Sequence, residues 1–227
     1  MIVALLKYFL VPTALCMTVV YNASAAVILN SSRVIYESTK SETSVMVSNN
    51  DKKRAFLIQS WVDNESESNK DKVPFVITPP LFRLDPEQEG MLRIVLTDEK
   101  LPSDRESIFW LNVKSIPSVE KNESNLLFLS INNRVKLFYR PYGLSGNSAE
   151  AYKKLDIIQK GNLLHLRNPT PYYISLRNLR IGTMEVKDPI MVPPKGELTH
   201  ELKSGVSGKI SWSAINDFGG TTPPTSN

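Results

Sequence analysis

Apolar and polar positions alternate along this chain over short runs. Val27–Tyr36, Thr43–Ser48, Arg54–Val62, Phe75–Leu84, Met91–Leu96, Ser107–Ile116 and Leu126–Tyr139 are rich in β-branched and aromatic residues, and polar clusters such as Asp63–Lys72 separate them. Runs of this kind predict strands, and strands recurring between short polar turns predict a β-sandwich. No helical period lasts beyond about two turns. Thr78-Pro79-Pro80 interrupts one run and marks an edge or a kink. The Ser-, Gly- and Asn-rich stretch Leu144–Glu150 reads as a boundary, and shorter strands are expected beyond it at Leu163–Arg167, Tyr172–Leu176, Met184–Val186, Glu197–Leu202 and Lys209–Ala214. The expected fold is all-β, with domains at 26–143 and 144–227.

One run departs from the alternation. Leu127, Leu129 and Ile131 share one parity, and Leu126 and Phe128 share the other. A strand apolar on both faces is either buried twice or held ready for a partner, because an exposed apolar edge invites pairing with other chains. Taken alone, the three residues read more simply as part of the protein's own core. The run then turns basic at Arg134 and Lys136 and ends in Leu-Phe-Tyr-Arg-Pro.

Composition narrows the picture. Met1–Val20 carries one charge, Lys7, in an apolar run, and Ala23-Ser24-Ala25 fits the small-residue rule for cleavage, so residues 1–25 read as a signal peptide. The single cysteine, Cys16, lies inside it, which leaves an exported chain without disulfides. A net charge of +4 is too mild and dispersed for nucleic-acid binding. The two histidines, His165 and His200, sit in no catalytic motif, and no nucleophile elbow, zinc-protease helix or phosphate loop occurs. Neither an enzyme nor a metal or cofactor is expected, nor a small-molecule substrate. Trp61, Trp110 and Trp212 fall on separate strands and are expected to pack in cores.

Six segments, in order, resemble the periplasmic chaperones of the chaperone–usher pilus pathway: Ser32-Arg-Val-Ile-Tyr36, Pro79-Pro-Leu-Phe-Arg-Leu84, Arg105-Glu-Ser-Ile-Phe-Trp110, Arg134-Val-Lys-Leu-Phe-Tyr-Arg-Pro141, Asn168-Pro-Thr-Pro-Tyr-Tyr173 and Ile215-Asn-Asp-Phe-Gly-Gly220. The resemblance implies two immunoglobulin-like domains set in an L, in the periplasm of a Gram-negative bacterium. It implies partners as well: pilus subunits and an outer-membrane usher; in the free protein the apolar strand offers a surface for a second copy of itself. Leu127, Leu129 and Ile131 would fill the groove of an incomplete subunit by donor-strand complementation. Arg33 and Lys136 would grip the subunit's C-terminal carboxylate, and Glu106, Arg140 and Asp217 would form an ionic cluster between the domains.

Strict alternation puts Lys136 on the opposite parity from Leu127, Leu129 and Ile131. Either a bulge near Asn132-Asn133 re-aims it, or the cleft end of the strand is reached from the other face. The loop Ser118–Asn125 is short and lacks cysteine, as in the family's short-loop members. The few residues after Gly220 leave room only for a truncated last strand.

Overall fold

The computed structural model describes residues 26–98, 100–118, 129–203 and 205–227. The expected signal peptide, most of the loop 118–125, and Leu126, Leu127 and Phe128 lie outside these. The described chain is all-β and buries two separate cores, one between Val27 and Tyr139 and the other between Ala151 and Ala214.

The first sandwich contains β1 (Val27–Leu29), β2 (Arg33–Glu37), β3 (Thr43–Asn49), β4 (Phe56–Asn64), β5 (Phe75–Thr78), β6 (Leu81–Leu84), β7 (Glu89–Leu96), β8 (Ser107–Pro117) and β9 (Ile131–Arg140). One sheet has the order β1-β3-β7-β5 and the other β2-β9-β8-β4-β6. Two expected strands are each divided between these sheets. Asn30-Ser31-Ser32 separates β1 from β2, and Pro79-Pro80 separates β5 from β6. Proline cannot donate to a ladder, so the chain leaves one sheet's edge there and rejoins at the edge of the other.

Period-two side chains then fill the space between the sheets. Val47, Leu92 and Ile94 from one face meet Ile58, Leu111 and Leu137 from the other, all fully buried. Each such residue contributes roughly 1.5–3 kcal/mol. An aromatic cluster closes one end of this core, with Phe75 edge-on to Tyr36 at 5.3 Å and to Phe109 at 5.1 Å.

After a 3-10 turn at Ala151–Lys154, the second sandwich contains β10 (Asp156–Lys160), β11 (Leu163–Arg167), β12 (Ile174–Ile181), β13 (Met184–Glu185), β14 (Met191–Val192), β15 (Glu197–Glu201), β16 (Ile210–Ala214) and β17 (Thr225–Ser226). The sheet β10-β11-β15 packs against β13-β12-β16-β17, with β14 beside β12. Trp212 anchors this core and donates from Nε1 to the Tyr152 carbonyl at 2.9 Å. The Asn168-Pro-Thr-Pro-Tyr segment has a local architectural role. Buried Asn168 donates to the carbonyls of Tyr172 (2.7 Å) and Pro193 (3.0 Å) and accepts from the Thr170 amide and hydroxyl. Backbone groups of a buried turn are thereby satisfied where no strand can reach them.

Candidate functional site

β2 runs parallel to β9, with Arg33 opposite Lys136 and Glu37 opposite Arg140. On its other flank β9 pairs with β8 in an unbroken antiparallel register, from Ser115–Ile131 to Ser107–Tyr139. There is therefore no bulge at Asn132-Asn133, and alternation holds throughout the strand. Ile131, Val135, Leu137 and Tyr139 lie on one face of β9; Arg134, Lys136 and Phe138 lie on the other. Of the two ways of aiming Lys136, the geometry selects the second: the cleft is reached from the face opposite the apolar row.

β2 begins only at Arg33, so Ile131–Val135 have β8 on one side and, among the described residues, no strand on the other. Leu129 and Ile131 continue the core-facing row beyond the region where the sandwich covers it, and are 69% and 59% exposed. They do not complete the protein's own core. Leu127 lies outside the described residues.

On the cleft face, Arg33 is buried to 8% exposure. Its Nη1 donates to the Ile215 carbonyl of the second domain at 2.9 Å, and its guanidinium lies 5.6 Å from the Phe138 ring centre. Its Nε is buried with no hydrogen-bond partner among the described residues, a condition that is costly unless something is there to accept. Burial lowers the Arg33 pKa, and Asp217 and Glu106 partly offset this. Burial lowers that of Lys136 too, aided by the charge of Arg33 and opposed by Glu65. Neither cation has a carboxylate within ion-pairing distance among the described residues. Two like charges held together and partly dehydrated form a site that favours an anion.

Trp110 extends this face and is not a core residue. Its ring carries Arg134 at 4.5 Å and Lys136 at 6.0 Å, and its Nε1 donates to the Glu65 carbonyl at 3.2 Å. Trp61 is likewise only half-buried, with Nε1 on Asp63. Only Trp212 packs in a core as expected.

The three residues expected in an ionic cluster come together behind the cleft. Arg140 donates from Nε to Glu106 at 2.7 Å, and from Nη1 and Nη2 to Asp217 at 2.7 and 2.9 Å. Three further groups complete it: the Ser148 hydroxyl donates to Asp217 at 3.0 Å, the Tyr173 amide donates to Glu106 at 2.8 Å, and the Glu106 amide donates to the Pro171 carbonyl at 2.9 Å. Sequence reasoning did not single out Ser148, Pro171 or Ile215, because two of them act through backbone carbonyls and Ser148 through an ordinary hydroxyl. Burial raises the Glu106 pKa against the pull of Arg140. Burial also works to raise that of Asp217, but Arg140 and Ser148 outweigh it and the net shift is downward. Tyr173 and Phe138 meet across the boundary with ring centres 5.7 Å apart. Among the described residues no three His, Cys, Asp or Glu side chains gather as a metal site.

Fold and cleft define a class: paired immunoglobulin-like domains joined by an ionic cluster, with a cationic cleft between them and an apolar strand left open beside it. Residues 26–145 match the family described as pili and flagellar-assembly chaperone, PapD N-terminal domain, and residues 150–226 match its counterpart, the pili assembly chaperone PapD C-terminal domain. The chain belongs to this family of pilus-assembly chaperones. It is 46% identical over 195 residues to the probable fimbrial chaperone LpfB of Escherichia coli O157:H7, covering 84% of this chain and 83% of that one. To the chaperone protein FimC of Escherichia coli K12 it is 43% identical over 212 residues, covering 92% and 87%. Among solved structures, a chain from the Salmonella enterica SafA pilin in complex with the SafB chaperone aligns with a TM-score of 0.81 at 34% identity, covering 91% of this chain and 98% of that one. The periplasmic chaperone SfaE aligns with a TM-score of 0.75 at 38% identity, covering 88% and 98%.

Proposed function

We propose that this protein is a periplasmic chaperone that captures pilus subunits by lending them the open edge of β9 and hands them to an outer-membrane usher. One observation carries the reading. β2 starts, parallel to β9, at Arg33 opposite Lys136, and the edge before that point is vacant among the described residues. A subunit strand lying on the vacant edge, collinear with β2, ends where β2 begins. Its terminal carboxylate then meets two cations that, among the described residues, lack a counter-ion, and a buried Arg33 Nε that lacks an acceptor there. Leu129 and Ile131, with Leu127 next in the row, would pack into the subunit's open core, and main-chain hydrogen bonds would shield its unpaired edge.

Nothing in this scheme needs nucleotide, metal or covalent chemistry, since exchange of the lent strand for a better-fitting one supplies the driving force. In the free protein the same apolar row is a surface for self-association. The test is to purify a C-terminally tagged chain from the periplasm of its native host and identify the chains that come with it by mass. Stoichiometric β-rich subunits, lost with Lys136→Ala, support the reading. A clean monomer or self-dimer, from cells shown to express pilus subunits, overturns it.

A further inference from the structure

Phe218 is 96% exposed, the most exposed large apolar side chain among the described residues. A single exposed apolar residue ordinarily needs no explanation. Two features set this one apart: the rigidity of its loop and its position.

The loop 216–220 is closed by hydrogen bonds centred on Asn216. The side-chain oxygen of Asn216 accepts from the amides of Phe218 (3.1 Å) and Gly220 (2.9 Å). Its carbonyl accepts from Gly219 at 3.0 Å, and its amide donates to Gly220 at 2.8 Å. Asp217 is held by Arg140 and Ser148. Gly219 has φ 83° and lies so close to the turn before β2 that a side chain there would meet the Ser32 hydroxyl at 2.3 Å. Ile215, three residues before Phe218, accepts the Arg33 hydrogen bond. The phenyl ring therefore stands on a fixed support beside the proposed carboxylate anchor. Because the backbone that carries the ring is fixed, a partner that covers it has only the two torsions of one aromatic side chain left to order, and aromatic side chains are the usual anchors of interfaces.

We propose that Phe218 is a contact for the body of the captured subunit, packing on apolar surface next to the subunit's C-terminal residue. The inference rests on the donor-strand reading above. It gives the second domain a direct part in holding the subunit, in addition to aligning the cleft.

The probe is the subunit that co-purifies with the wild-type chain from host periplasm. It is denatured, diluted into increasing concentrations of wild type, Phe218→Glu, Phe218→Tyr or Lys136→Ala, and scored for captured complex. Phe218→Glu is expected to raise the half-saturating chaperone concentration by about tenfold or more, while Phe218→Tyr stays within about twofold of wild type. Both variants should melt with wild type when free, because the ring is exposed. If Phe218→Glu captures like wild type while Lys136→Ala fails, the inference is wrong and the anchor stands. Wild-type capture by Lys136→Ala removes the anchor reading and this inference with it. Normal capture by Phe218→Glu combined with lost binding to the usher assigns the residue to the usher and also overturns the proposal.

Discussion

Arg140 and Asp217 meet across the domain boundary through two hydrogen bonds, one from each terminal nitrogen of the guanidinium, at 2.7 and 2.9 Å. The remaining donor, Nε, is committed to Glu106, a carboxylate only 3% exposed. Replacing Arg140 with alanine leaves that carboxylate buried and unpaired, which typically costs about 3–5 kcal/mol. Urea unfolding followed through Trp61 and Trp110 in the first domain and Trp212 in the second should split into two transitions in Arg140→Ala. A single transition at the wild-type midpoint would remove the cluster's role in coupling the domains.

Acid should weaken the same joint. The Asp217 carboxyl is held below its ordinary 3.8. A depressed carboxylate contributes stability that is fully present above the unfolded value and lost as pH falls through the folded one. Glu106 acts in the opposite sense: its pKa is raised by burial, so its ionisation opposes folding as pH rises through the folded value. The acid-side loss therefore belongs to Asp217. The difference in melting temperature between wild type and Asp217→Asn should be constant near neutrality and shrink as pH falls below 3.8. A difference that stays constant down to strongly acid pH would show that the pair does not titrate with folding.

Lys136 and Arg33 should separate function from stability in different ways. Lys136 is a like-charged neighbour of Arg33 with a pKa lowered chiefly by burial. Lys136→Met should abolish subunit capture while raising the melting temperature of the free protein by up to about 4 °C. Arg33→Ala should abolish capture as well, but it also strips the Ile215 carbonyl of its donor and should cost about 1–3 kcal/mol. Calorimetry of the two free variants checks the contrast. Equal destabilisation by both would mean that the lysine is structural.

Leu129 and Ile131 are exposed in the free chain. Changing either to threonine should leave its stability within about 0.5 kcal/mol and weaken subunit binding by roughly 1.5–3 kcal/mol. Capture titrations paired with melting curves measure both. A loss of stability matching the loss of capture would return these residues to the protein's own core.

The alternation of side chains made the β class and most strands legible, because a sandwich strand writes its buried face every second residue. It could not tell that Val27–Tyr36 and Phe75–Leu84 are each shared between two sheets, since period two says nothing about which sheet a residue joins. β14 and β17 are too short to carry a period, and in β10 the adjacent Ile157 and Ile158 obscure it. The pairing of Arg33 with Lys136 joins residues far apart in sequence, so it was visible only through resemblance to a family. Trp110 reads as a core residue because an indole on a strand looks the same from the sequence whether it faces the interior or a cleft. The backbone carbonyls of Ile215 and Pro171 have no signature at all.

On the donor-strand reading, the abrupt start of β2 at Arg33 has a consequence for the length of a client chain. A strand that must end at a fixed stop is measured from its last residue. Successive strand side chains point to opposite faces, so one residue added or removed at the terminus inverts everything upstream of it. A subunit one residue shorter or longer at its C-terminus would offer its polar side chains to the row of Leu129 and Ile131. On the donor-strand reading, the anchor would fix which face of a client's last strand is apolar by counting back from its final residue.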